Sequence, residues 1–264
     1  MTNLKMKRTS VTVIAVIAVL VLLAGVGCAV YLGDYYHADL AAIDAFAVEH
    51  PVQMRVADNG DLIWEPEHAA AGLIFYPGGK VEHTAYIPLM EALASENILC
   101  VIAEMPFHLA VFDVDAASDI RDAFPQIESW YIGGHSLGGS MAAAYLADCA
   151  DSFEGLILLG SYSTADLSAT ELTVLSIYGS EDLVINREKY QQCRQNLPEN
   201  FQEIVIDGGC HAYFGMYGLQ SGDGAPTVAN EAQIILTADA ITAVVSGQAP
   251  DEPITNESRA DGTS

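Results

Sequence analysis

The sequence predicts an α/β fold, a mostly parallel, doubly wound sheet without a large cap, preceded by an N-terminal transmembrane helix. Three observations carry this. Short, continuously apolar runs (GLIFY, ILCVIA, LILLG) recur along the chain, as expected of strands covered on both faces. Segments with helical periodicity separate them, and such alternation builds an open sheet flanked by helices. An uncharged stretch of 22 residues, Val11 to Leu32, stands ahead of all of them.

That N-terminal stretch is the first element. At ~1.5 Å per residue it covers about 33 Å, the thickness of a hydrocarbon core. Lys5, Lys7 and Arg8 precede it, and the next cation is Arg55. The positive-inside rule then puts residues 1–10 in the cytoplasm, residues 11–32 across the cell membrane, and the remainder outside. A cleaved signal is the competing reading, because Gly25, Gly27, Cys28 and Ala29 are small. The run exceeds the ~7–15 residues of a signal core. Gly25-Val26-Gly27-Cys28 also resembles a lipoprotein box, although Leu is expected where Gly25 stands. All three readings export the domain.

Residues 33–50 read as a juxtamembrane linker or helix, and 51–247 as the folded domain. Its strands are expected at Val52–Val56, Asp61–Trp64, Gly72–Tyr76, Ile98–Ala103, Trp130–Gly133, Gly155–Leu159, Thr173–Tyr178 and Gln202–Ile206. Helices are expected at Ala85–Ser95, Ala116–Phe124, Leu137–Cys149, Arg187–Asn196 and Thr227–Val245. The last residues, 248–264, are polar, acidic and Pro-containing, the composition of a disordered tail, with a weak glycosylation signal at Asn256-Glu257-Ser258.

Ten Lys+Arg against 35 Asp+Glu give a formal charge of −25. A surface this acidic repels phosphate backbones, which argues against nucleic-acid binding. An exported chain permits disulfides, and Cys193 with Cys210 is the pairing to test; the alternative is isolated, buried thiols. No CxxC or His/Cys cluster with zinc spacing occurs.

The chemistry concentrates at Trp130–Ser140. An apolar strand runs into Gly134-His135-Ser136-Leu137-Gly138 and then into a helix with Met141, Ala144 and Tyr145 at helical spacing. A tight strand–turn–helix needs minimal side chains flanking the nucleophile, and Gly134 and Gly138 supply them. Ser136 then stands above a helix N-terminus whose free N–H groups favour a developing oxyanion. A serine hydroxyl needs a base. Tyr178-Gly179-Ser180-Glu181-Asp182 puts an acid just past one strand, and His211 follows the strand ending at Ile206. Ser136, Asp182 and His211 are therefore the candidate nucleophile, orienting acid and base, spaced 46 and 29 residues apart. Glu181 and Asp207 are rival acids; Asp182 is preferred because Leu183-Val184 can pack its turn. The oxyanion donors are expected to be the backbone N–H groups of Leu137 and Gly79, with Lys80 N–H as the alternative to Gly79. Glu82, His83 and the Met105–Leu109 segment are weaker candidates for the pocket wall, and His135 reads as structural.

These segments together resemble the α/β-hydrolase superfamily, and specifically a compact bacterial branch related to dienelactone-hydrolase-like proteins. The resemblance rests on YPGGK-x-E (Tyr76 to Glu82), Glu104-Met105-Pro106, GGHSLGG (Gly133 to Gly139), G-S-x-D (Gly179 to Asp182) and GG-x-H-A-x-F-G (Gly208 to Gly215). It covers roughly Gly72 to Val245. It implies a serine hydrolase with the order Ser…Asp…His and the oxyanion roles above. Dienelactone hydrolases use a cysteine where this chain has Ser136, so their particular reaction is not implied.

The expected reaction is acyl transfer on a small ester-like molecule, with no metal or organic cofactor. Only 12 residues, Ser161 to Leu172, separate two strands where larger relatives insert a helical cap. An open, shallow site for short-chain esters follows. An amidase or peptidase would use the same residues, and a binding or scaffold protein on the same fold is the non-enzymatic alternative.

Overall fold

A computed structural model describes residues 2–247, with side chains from residue 11 onward. The predicted tail, 248–264, lies outside the described residues. The chain divides between Tyr35 and Tyr36 into two units.

The first unit is helix α1, Thr2–Gly33. Its Val11–Gly33 portion is long and apolar enough to cross a membrane, with a mean hydropathy of 3.0. A helix of this kind near an N-terminus is that of a membrane span or of a signal sequence.

The second unit holds β1 (Met54–Val56), β2 (Leu62–Trp64), β3 (Ala71–Tyr76), β4 (Ile98–Ile102), β5 (Trp130–His135), β6 (Gly155–Leu159), β7 (Thr173–Gly179) and β8 (Gln202–Ile206). They form one eight-stranded sheet in the order β1-β2-β4-β3-β5-β6-β7-β8. β2 runs antiparallel to β1 and β4; every other pairing is parallel. The helices are α2 (Leu40–Ala45), α3 (Ile87–Ser95), α4 (Ala116–Ala123), α5 (Leu137–Leu146), α6 (Arg187–Cys193) and α7 (Asn230–Val245).

The apolar strand runs are explained by two cores, one on each face. Leu73, Phe75, Cys100 and Ile102 pack with residues of α3 and α7. Ile74, Tyr76, Leu99 and Val101 pack with residues of α4 and α5. Alternate side chains point to opposite faces, so a strand buried on both sides must be apolar at every position.

Residues 33–50, expected as a juxtamembrane linker or helix, hold the short helix α2 and are hydrogen-bonded within the second unit: Tyr36 N–H donates to Lys80 O at 2.8 Å, and Asp39 N–H to Met216 O at 2.8 Å. Two expectations need correction. Helix α7 starts three residues later than the periodicity suggests, since the N–H groups of Thr227 and Val228 both go to Gly208 O instead of to a helical turn. The five cysteines are all free, with Cys193 and Cys210 buried. Burial pushes the Cys210 thiol up to about 12, so it stays protonated and inert.

Candidate active site

The strand ends position the site. β5 runs directly into Ser136, which has φ 52° and ψ −119°. A non-glycine residue in this region is strained, and the surroundings hold it there. A Cβ on Gly134 would lie 2.5 Å from Tyr76 O, and one on Gly138 would overlap the carbonyls of Tyr76 and Pro77. The two glycines therefore let β3, β5 and the start of α5 pack backbone to backbone beneath the serine. Ser161, just past β6, donates from Oγ to Ser136 O at 2.6 Å and ties the turn from its far side.

Asp182 follows β7 and His211 follows β8. Both side chains are buried, and His211 Nδ1 lies 2.8 Å from Asp182 Oδ2. The other carboxylate oxygen, Oδ1, accepts from Val184 N–H at 3.0 Å and Ile185 N–H at 2.9 Å. Of the three acids weighed from sequence, Asp182 is the one bonded to the histidine. Room for the pair comes from Gly160, at φ 53°, where a Cβ would lie 2.9 Å from His211 Nδ1 and 3.2 Å from Asp182 Oδ2. His211 Nε2 is buried and makes no hydrogen bond. Ser136 and His211 line one cavity of about 260 Å³, whose remaining wall includes Leu137, Tyr162, Val184, Ile185 and Asn186. Among the described residues, no Asp, Glu, Lys or Arg lines it. A larger cavity, about 340 Å³, opens between residues 46–50, α3 and α7, and contains none of the predicted site residues.

The loop after β3 faces the same turn. A Cβ on Gly79 would lie 2.9 Å from Leu137 Cδ2. Among the described residues, neither Gly79 N–H nor Leu137 N–H donates to a backbone carbonyl. Lys80 N–H, the alternative donor, is already spent on His108 O at 2.7 Å. That choice is thereby removed. Glu82 is likewise engaged elsewhere, accepting from Ala38 N–H at 3.0 Å. Neither it, His83 nor the Met105–Leu109 segment lines the cavity.

Several residues that hold the site escaped the sequence reading. Fully buried Tyr86 accepts from Gly78 N–H at 3.0 Å and meets His135 Nδ1 at 2.8 Å. Burial first, then the neighbouring His211, hold the His135 imidazolium far below the ordinary histidine value. Asp223 accepts from the N–H groups of His211 and Ala212 at 3.1 and 2.8 Å. Buried Gln233 accepts from Cys210 N–H at 3.0 Å and donates to Cys210 O at 2.8 Å. Arg187 donates to Gly179 O at 2.8 Å and covers the Tyr178 ring at 4.3 Å, closing the acid turn. Asp223 and Gln233 sit 12 and 22 residues past His211, a separation at which no short motif reveals them.

An eight-stranded sheet of this order, with a strained serine after the central strand and an acid–histidine pair at neighbouring strand ends, defines an α/β hydrolase. The chain belongs to the alpha/beta hydrolase family, whose model matches residues 72–235. The match is to the broad family and does not single out the dienelactone-hydrolase-like branch. No curated protein matches the chain. Among solved structures it is similar to Est1E from Butyrivibrio proteoclasticus, at TM-score 0.53 and 14% identity, covering 75% of this chain and 98% of that one. The esterase domain of a Rhodothermus marinus protein gives TM-score 0.53 at 13% identity, covering 73% and 96%. A CIB-like hydrolase from Thermoplasma acidophilum gives 0.52 at 14% identity, covering 72% and 98%. At these identities the likeness is one of fold.

Proposed function

We propose that this α/β hydrolase is a serine carboxylesterase acting on small esters through an acyl-enzyme. One observation carries the reading: a buried carboxylate fixes the His211 ring at 2.8 Å, leaving Nε2 without a partner in the cavity that Ser136 lines. With Nδ1–H directed at Asp182, the neutral ring has its lone pair on Nε2 and is ready to accept the serine proton. In apo enzymes this last hydrogen bond commonly tightens only with substrate.

His211 takes the Ser136 proton as the oxygen attacks the ester carbonyl. Asp182 stabilises the resulting imidazolium. The oxyanion is held by the N–H groups of Leu137 and Gly79, neither of which is committed to a backbone carbonyl among the described residues. The imidazolium protonates the leaving alkoxide, and water repeats the sequence to release the acid. The cavity volume of about 260 Å³, the uncharged lining and the absence of any helix between β6 and β7 favour a small, neutral acyl group. A formal charge of −25 disfavours anionic substrates.

The test is covalent labelling by a fluorophosphonate, comparing wild type with Ser136→Ala, followed by a panel of esters and amides. Labelling that does not depend on Ser136 returns the chain to the binding-protein reading. Faster turnover of amides than of matched esters makes it an amidase, and preference for long over acetyl or butyryl chains removes the small-ester assignment.

We also propose that α1 is a retained single-pass anchor, N-terminus inside and hydrolase domain outside, on the strength of Lys5, Lys7 and Arg8 before the apolar run. External protease should then digest the domain on intact cells.

A further inference from the structure

The peptide carrying the Gly79 N–H is anchored on both sides. Before it, Gly78 N–H is held by Tyr86. After it, Lys80 O accepts from Tyr36 N–H at 2.8 Å, and Tyr36 O in turn accepts from Glu82 N–H at 2.9 Å. Tyr36 thus pairs with this loop like a one-residue strand, opposite Val81. Its side chain reaches the other catalytic loop: Tyr36 Oη accepts from Ser221 N–H at 3.1 Å, two residues before the Asp223 that holds His211 and Ala212. Its ring packs on Tyr217 at 5.6 Å. Asp39 N–H adds a bond to Met216 O at 2.8 Å, and Ala38 N–H one to Glu82 at 3.0 Å. Outside this contact the two loops, 77–82 and 207–223, contain no strand and only one three-residue helical turn.

We propose that Tyr36–Asp39 is a positioning strap for the reaction, joining the oxyanion loop to the histidine loop so that donor and base keep one geometry. The inference rests on the serine-hydrolase reading for its catalytic part, while the strap itself is a mechanical claim. Tyr36 is a positioning residue and touches no reacting atom.

Full-length protein in detergent micelles tests it, through kcat and KM on p-nitrophenyl acetate and amide hydrogen exchange. Tyr36→Phe keeps the ring and removes only the acceptor for Ser221. It should lower kcat roughly three- to tenfold, the worth of one hydrogen bond, with KM within about twofold, and raise exchange in 211–223 alone. Tyr36→Ala also removes the ring; kcat falls further and exchange rises in 78–82 as well. If Tyr36→Ala does not fold, Tyr36→Phe decides. Wild-type kcat together with wild-type exchange in Tyr36→Phe overturns the strap. Wild-type protein without Ser136-dependent turnover overturns the hydrolase reading instead, and raised exchange in the variants then still upholds the mechanical link.

Discussion

The His135 ring lies 4.5 Å from the His211 ring, centroid to centroid, at 49° between planes. Two buried imidazoles in contact cannot both be charged at reasonable cost. One must remain neutral if the other is to become an imidazolium in turnover. His135 is the one built for neutrality: its side chain is fully buried, the uncharged Tyr86 hydroxyl meets its Nδ1 at 2.8 Å, and Phe214 and Tyr217 close around it at 5.6 and 6.5 Å. His135 therefore packs against the His211 ring while remaining neutral itself.

A pH dependence of stability follows. The folded-state pKa of His135 is far below its ordinary 6.5, so the unfolded chain takes up a proton that the folded one refuses. Above about pH 6.5 neither state is protonated there and the site contributes no slope. As pH falls below 6.5 the folded state loses up to ~1.4 kcal/mol per pH unit from this group. Urea midpoints at pH 7.5, 6.5 and 5.5 should fall accordingly, and less steeply for His135→Gln. Equal slopes in the two proteins would remove His135 as the cause.

Tyr86→Phe should be costly in spite of its small change in shape. It strands Gly78 N–H and His135 Nδ1 in a buried site, at about 1–3 kcal/mol. The Gly78–Gly79 peptide is also released, so kcat should drop while KM moves little. Equilibrium unfolding and steady-state kinetics on the same preparation check both halves. A variant with wild-type stability would show that Tyr86 is mere packing.

The fold was legible in the sequence, and the candidate Ser–Asp–His set could be proposed from it, because each leaves a local signal. Double-sided burial makes a strand apolar at every position, and the tight strand–turn–helix demands Gly134 and Gly138 at fixed offsets from Ser136. Asp182 and His211 each follow a recognisable strand end. What could not be read are contacts closed across the fold between residues with no mutual spacing rule. Tyr36 meets Ser221 across 185 residues, and Tyr86 meets His135 across 49. Nothing in the composition of 33–50 separates a slack tether from a strap. The Cys193–Cys210 pairing failed for a related reason: export permits a bridge, but only geometry decides whether the thiols meet.

Gly160→Ala isolates the space around the acid–histidine pair. The position is left-handed, at φ 53°, and the new methyl would sit 3.1 Å from His211 Cε1. Backbone strain alone costs about 1–2 kcal/mol. Displacement of the ring should lower kcat by at least roughly tenfold, since sub-ångström misplacement of a base is felt directly in rate. Thermal melting should remain cooperative at a lowered midpoint. Undiminished kcat in a folded Gly160→Ala protein would mean the ring has slack that the contacts do not suggest.

Asp182→Asn discriminates most sharply between an orienting acid and a structural one. Oδ1 of Asp182 accepts two backbone N–H groups, from Val184 and Ile185, so the amide oxygen of asparagine must take that place. Its NH2 is then forced to where Oδ2 now meets His211 Nδ1. Two donors cannot face each other; the histidine proton moves to Nε2, and the lone pair that should accept the Ser136 proton is gone. The expected loss is on the order of 10³- to 10⁴-fold in kcat, the effect of a wrong tautomer in serine-protease triads, with the fold retained because the turn's hydrogen bonds survive. Circular dichroism and ester turnover measure the two sides. Activity within tenfold of wild type would show that the 2.8 Å contact holds the loop and does not direct the proton.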